Sequence, residues 1–191
     1  MLTSDLGYLT SGGCCSLLVA GTPEKNMGTC SSIHLTDKTD NPLEIRSCTE
    51  GDLDALMEMY AVFSPKPASQ GLPPQDPEAC RQWVLKLLNE GENFLAWREG
   101  RVIGHASVMP DYQKKDGEFL IFVDRAHRNR GVGRALTNLA LDRAREMGLT
   151  AIWLTVEIYN FRAVHLYKRC AFQPCGEDDC ERKMVCTISN R

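Results

Sequence analysis

The 191-residue chain has no apolar run near the roughly 20 residues that a bilayer-spanning helix needs, so no membrane partner is expected. It also has no surplus of positive charge. Lys and Arg number 22 against 25 for Asp and Glu, a formal net charge of -3. A bulk nucleic-acid binder is basic, so nucleic acid is not an expected partner, although a local basic patch stays open. Cys-x-x-Cys pairs are missing too. The nine cysteines cannot all pair within one chain. The late group, Cys170, Cys175, Cys180 and Cys186, lacks the spacing of a zinc site. His105, His127 and His165 have no metal-like spacing and read as core or surface residues. The expectation is a cytoplasmic protein with reduced thiols and no metal. Cys48 and Cys80 lie inside apolar-periodic segments and read as small hydrophobes.

What is present is ordinary globular composition, 43% hydrophobic and 25% charged, enough for one core. It is unevenly spread. Residues 1–42 are rich in Ser, Thr, Gly and Cys and carry no sustained period. The patch from Cys14 to Ala20 is too brief for a signal peptide, and no Lys or Arg precedes it. Residues 1–42 therefore read as a disordered extension, and the domain as 43–189. From Leu43 the pattern is regular. Leu43 to Cys48 alternates like a half-buried strand, and Thr49 with Asp52 forms a capping box ahead of Leu53, Leu56, Met57 and Tyr60. The prolines of Ser64 to Pro74 preclude regular structure. Asp76-Pro77-Glu78 then opens a second helix that Gly91 closes. Asn93 to Arg98 and Arg101 to Met109 form a hairpin across Glu99-Gly100. Glu118 to Val123 and Ala151 to Val156 read as strands covered on both faces, with a long helix between them from Gly131 to Met147. A short helix, Asn160 to Arg169, and two closing strands complete the order βααβββαβαββ, a mixed-sheet α/β domain.

Chemistry is concentrated in Val123-Asp124-Arg125-Ala126-His127-Arg128-Asn129-Arg130-Gly131-Val132-Gly133-Arg134, between a strand and the long helix. Glycine lets a ligand approach the backbone. The first helical turn leaves amides unpaired at the positive end of the dipole. Together these make an anion site, most naturally for phosphate, to which Arg128, Arg130 and Arg134 add charge. A Walker loop is excluded because Arg134-Ala135 follows Gly133. The dinucleotide fingerprint is excluded because Leu136 holds its third glycine position. A tight turn with solvated arginines is the bland alternative.

Downstream stands Asn160-Phe161-Arg162-Ala163-Val164-His165-Leu166-Tyr167-Lys168-Arg169-Cys170-Ala171-Phe172. The ordered pair, Arg128-x-x-Gly131-x-Gly133 and then Asn160 to Phe172, resembles the GNAT superfamily of acyl-CoA-dependent N-acyltransferases. One departure is Ala171, where glycine is usual. The resemblance implies a mixed α/β sheet, splayed at the acetyl-CoA site and flanked by about four helices. It implies pantetheine along Ile121, Phe122 and Val123, held by the backbone groups of Ile121 and Val123 where that strand splays from the next, and pyrophosphate on the amides of Asn129, Arg130, Gly131, Val132, Gly133 and Arg134. It also implies a cofactor contact at Asn160, which doubles as a helix N-cap, and no metal. Tyr167 becomes the general acid toward the leaving thiolate, with a core tyrosine as the plain reading. Glu118 resembles the catalytic glutamate of the bacterial protein-lysine branch, while a strand-edge acid in water is equally open. The ribosomal-protein branch places its glutamate where Thr155 stands, and Glu157 is read as turned to the other face.

The expected reaction is transfer of acetyl from acetyl-CoA to a primary amine by direct attack. The acceptor is an amine-bearing small molecule, or a protein lysine or N-terminus. Ser64 to Pro74 is the candidate acceptor loop. A homodimer is left open, and a non-catalytic acetyl-CoA sensor on the same fold is the rival.

Overall fold

The structure, a computed structural model, describes residues 32–63, 73–176 and 180–188. Regular structure starts earlier than Leu43. Strand β1 (Ile33–Thr36) pairs antiparallel with β2 (Pro42–Ser47). All four β1 residues are exposed, so no buried period marks them in the sequence. Their anchor is the turn that follows. One oxygen of Asp37 accepts from the Thr39 amide and hydroxyl, each at 2.7 Å, and from the Asn41 amide at 3.2 Å. The other takes Nη2 of Arg98 at 2.5 Å, across 61 residues of chain. Cys14 to Ala20, Cys30 and most of the proline-rich stretch from Ser64 lie outside the described residues.

Asp52 organises the start of the first helix. Its carboxylate accepts from the amide and hydroxyl of Thr49, both at 2.7 Å, and from both terminal nitrogens of Arg46. The Arg46 guanidinium, with these bonds, holds the Asp52 carboxyl down to about 2. Helix α1 (Leu53–Val62) follows, and α2 (Pro77–Glu90) begins where Asp76 accepts from the Ala79 amide at 2.8 Å. The second helix ends at Gly91, where a Cβ would lie 2.6 Å from Met109 Sδ, so close packing rather than backbone angle requires glycine there. Strands β3 (Glu92–Arg98) and β4 (Arg101–Asp111) form the expected hairpin, with Glu99 and Gly100 both at positive φ (50° and 74°). Then come β5 (Asp116–Val123), α3 (Val132–Glu146), β6 (Ala151–Glu157), α4 (Phe161–Arg169), β7 (Gln173–Pro174) and β8 (Glu181–Thr187).

Among the described residues the eight strands form one mixed sheet ordered β1-β2-β3-β4-β5-β6-β8-β7. Helices α3 and α4 cover one face with a core that includes Phe94, Phe119, Leu136, Ile152, Leu154, Phe172 and Met184. Helices α1 and α2 cover the other face at its centre, around Leu56, Tyr60, Val84, Leu95 and Phe122. Each such side chain contributes roughly 1.5–3 kcal/mol on burial.

A polar chain pins the second core. Asn93 Nδ2 donates to the carbonyls of Leu87 and Gly91 at 2.7 and 2.9 Å, so its Oδ1 is the acceptor that faces His105 Nε2 at 3.0 Å. His105 therefore carries its proton on Nε2 and accepts the Tyr60 hydroxyl on Nδ1 at 2.6 Å. Burial holds His105 neutral, with its pKa down to about 3. His105 is thus a fully buried core residue.

Strands β5 and β6 are not covered on both faces. In β5, Gly117, Phe119 and Phe122 are buried while Glu118, Leu120, Ile121 and Val123 are half-buried. In β6, Ile152, Leu154 and Val156 are buried, and Trp153, Thr155 and Glu157 lie on the outer side. No described helix is long and apolar enough to cross a membrane.

Candidate active site

The half-buried strands border a wedge. Parallel pairing of β5 with β6 lasts only from Asp116–Ala151 to Glu118–Trp153. Beyond it β5 keeps its partner β4 to Val123, and β6 keeps β8 to Glu157. Asp124 N–H donates to Ile103 O at 2.9 Å across β4. Strand alternation then turns the backbone groups of Val123, Ile121 and Phe119 toward the wedge. Phe122 is turned away. Its backbone faces His105 on β4, and its ring packs 5.6–5.7 Å from Tyr60, Phe63 and Trp83. Of the three strand positions expected to line the cofactor, only Ile121 and Val123 border the opening.

The loop after Val123 leads into α3 through two left-handed residues, Asn129 (φ 63°) and Gly131 (φ 96°). The two glycines serve different ends. Gly131 supplies backbone conformation, since the nearest atom to an added Cβ is 3.7 Å away. Gly133 supplies closeness, because a Cβ there would meet Leu166 Cδ2 of α4 at 3.1 Å. The first bond of the helix start is Ala135 N–H to Gly131 O at 3.0 Å. The amides of Val132, Gly133 and Arg134 therefore precede the intrahelical ladder, and no side chain caps them.

Arg128 braces this junction. Its Nε donates to the Val123 carbonyl at 2.9 Å, and its guanidinium lies 5.5 Å from the centre of the Phe63 ring. Burial holds its pKa below the usual arginine value; Asp124 raises it, and Arg125 and Arg162 lower it further. Arg162, in the first turn of α4, thus lies close enough to act on Arg128 together with Arg125. Sequence reasoning missed it, because the fit of Leu166 on Gly133 joins segments far apart in the chain. Asn160 caps α4 by accepting the Ala163 amide at 3.2 Å.

Tyr167 is buried on the α3/α4 side. Phe172 joins it to β5, its ring 5.8 Å from Tyr167 and 6.1 Å, stacked, from Phe119. Burial, with Cys170 nearby, pushes the phenol well above its ordinary pKa. The Tyr167 hydroxyl has no hydrogen-bond partner among the described residues. Glu118 points to the opposite face of the sheet from Phe119, next to Trp153. Burial raises its pKa and the charge of Lys183 draws it back. Lys183 Nζ sits 4.4 Å over the Trp153 ring. Trp153 and Lys183 therefore flank the candidate base, brought there by strand pairing that no local pattern announces. Glu157, two residues beyond Thr155, shares that face, contrary to the reading from sequence.

Cys170 and Cys186 are buried, Cys175 and Cys180 exposed, and all four are free thiols. Among the described residues no group of three or more His, Cys, Asp or Glu is placed to hold a metal.

Comparison with known proteins bears on the family and the fold. The chain is 45% identical over 86 residues to streptothricin acetyltransferase of Streptomyces lavendulae, covering 45% of this chain and 38% of that protein. It is 40% identical over 135 residues to mycothiol acetyltransferase of Propionibacterium freudenreichii, covering 68% of this chain and 42% of the relative. The chain thus spans less than half the length of either. The crystal structure of the GNAT domain of S. lividans PAT superposes with a TM-score of 0.73 at 16% identity, over 82% of this chain and 97% of that one. That likeness shows the fold. The family model for the acetyltransferase (GNAT) family matches residues 53–172, and the chain belongs to that family.

Proposed function

We propose that the protein transfers the acetyl group of acetyl-CoA to a primary amine by direct attack. One observation carries the reading: the wedge between β5 and β6 opens beside an uncapped helix start, with Glu118 at the last strand pair before the opening. The residues fit the cofactor. Three amides at the start of α3 and the arginines around them suit a pyrophosphate. Ile121 offers both backbone groups to an extended pantetheine arm. Val123 offers its N–H, because Arg128 already occupies its carbonyl.

Bound acetyl-CoA supplies the thioester and a thiolate leaving group. The chain supplies proton transfers at two atoms. The Glu118 carboxylate, with its pKa raised by burial, takes the proton that the attacking amine must lose, directly or through water. The Tyr167 hydroxyl gives a proton to the departing sulfur. Its raised pKa makes it a weak acid in isolation. A thiolate in the same apolar surroundings is destabilised too, which offsets the mismatch. Asn160 stays the cap of α4 and keeps Tyr167 in register.

The acceptor is a small-molecule amine in preference to a protein lysine or N-terminus, supported by the names of the two relatives. The outer face carrying Trp153, Lys183 and Glu118 is its docking wall. A thiol-release assay with acetyl-CoA and an amine panel tests the reaction. Tyr167→Phe should lower kcat by roughly ten- to a few hundred-fold with little change in acetyl-CoA affinity; an unchanged rate removes that role. Tight acetyl-CoA binding with no transfer to any amine would instead make the protein a sensor.

A further inference from the structure

The turn between β1 and β2 reaches the phosphate loop, and it lies outside the stretch matched by the family model, 53–172. The Lys38 amide donates to the Arg130 carbonyl at 2.9 Å. Lys38 Cγ stands 3.7 Å from where a Cβ on Gly131 would be. The turn is built to hold that position. The Asp37 carboxylate gathers the amides of Thr39 and Asn41, the Thr39 hydroxyl and Arg98, and Arg98 Nε also donates to the Pro42 carbonyl at 3.2 Å. Asp37 is thereby committed, which leaves Asp40 as the turn's other acid, exposed to water.

Lys38 itself is exposed, and its ammonium has no ion-pair or hydrogen-bond partner among the described residues. A fixed backbone that carries an exposed lysine stem past Gly131 brings a cation within reach of the positive end of α3. Resting on the acetyl-CoA reading above, we infer that Lys38 is a ligand of the cofactor's pyrophosphate, supplied by the β1–β2 turn. The phosphate site is then flanked by Arg162 from α4 and Lys38 from the opposite side of α3. The strand ahead of the matched region becomes part of the cofactor site.

Calorimetry on the full chain tests this with acetyl-CoA, using wild type, Lys38→Met, Lys38→Arg and Lys86→Met. Lys86, exposed on α2, controls for the change in net charge. Lys38→Met should weaken binding about three- to ten-fold at low ionic strength, with the gap closing as salt is added. Lys38→Arg should recover most of the loss and Lys86→Met should bind as wild type. In turnover the KM for acetyl-CoA should rise while kcat at saturation holds. The penalty should persist with dephospho-CoA, which keeps the pyrophosphate and lacks the 3′-phosphate. Equal binding by wild type and Lys38→Met overturns the inference and leaves the proposed function standing. A penalty that vanishes with dephospho-CoA overturns the pyrophosphate assignment. A wild type that does not bind acetyl-CoA at all overturns the reading of the site, and this inference with it.

Discussion

Replacing His105 with glutamine removes the group in the Tyr60–His105–Asn93 chain that titrates on the acid side. Folded His105 has its pKa lowered by burial to about 3, whereas an unfolded histidine titrates near 6.5. Between those values the unfolded chain binds the extra proton, so stability falls as pH falls. The contribution is complete above the unfolded value and is lost progressively toward pH 3. At about 1.4 kcal/mol per unit, acidification from about pH 7 to pH 4 costs about 3 kcal/mol through this residue alone. Urea unfolding of wild type and His105→Gln at several pH values isolates that amount. Carboxylates such as Asp52 titrate in both proteins and cancel in the difference. The variant should be less stable by about 1–3 kcal/mol near pH 7, since the hydroxyl of Tyr60 and the amide of Asn93 lose well-placed partners. Toward pH 4 its disadvantage should shrink or reverse. Parallel pH curves for the two proteins would mean that folded His105 accepts a proton as readily as the unfolded chain, and would refute the buried neutral chain.

The raised pKa of Glu118 places the acid limb of kcat/KM above the ordinary glutamate value, and Glu118→Gln should abolish that limb and slow turnover about 100-fold; a pH–rate profile decides it. Lys183→Met should shift the same limb to higher pH, because the opposing charge that lowers the Glu118 pKa is gone. Ala171 sits at φ 67°, so Ala171→Gly should stabilise the fold by about 1 kcal/mol in chemical denaturation. Gly131→Ala puts a side chain at φ 96° and should cost about 1–2 kcal/mol while raising the KM for acetyl-CoA.

Local order was largely legible in the sequence. The caps at Asp76 and Asn160, the Glu99-Gly100 hairpin and the span of α3 follow from interactions within a few residues, and so do their sequence signals. The candidate site is written in the sequence as two motifs, and the structure brings Leu166 of one against Gly133 of the other. Reading stopped where a contact joins distant segments. Strand β1 escaped because its anchor is a carboxylate meeting Arg98 from 61 residues away. Phe122, named with its neighbours as a cofactor residue, is turned away by its pairing with His105 on β4.

Sequence alone determined the family resemblance and the glycine loop with its arginines, because these are covalent neighbours or short helical repeats; the candidate acid and base came with the resemblance. Only tertiary structure decided where β5 and β6 part, and that Arg128 takes up the Val123 carbonyl. It also decided that Arg128 braces the loop while Arg162 and Lys38 approach it. Those outcomes depend on strand register and helix packing across the sheet, which are settled by the whole core at once and leave no trace in any single stretch of chain.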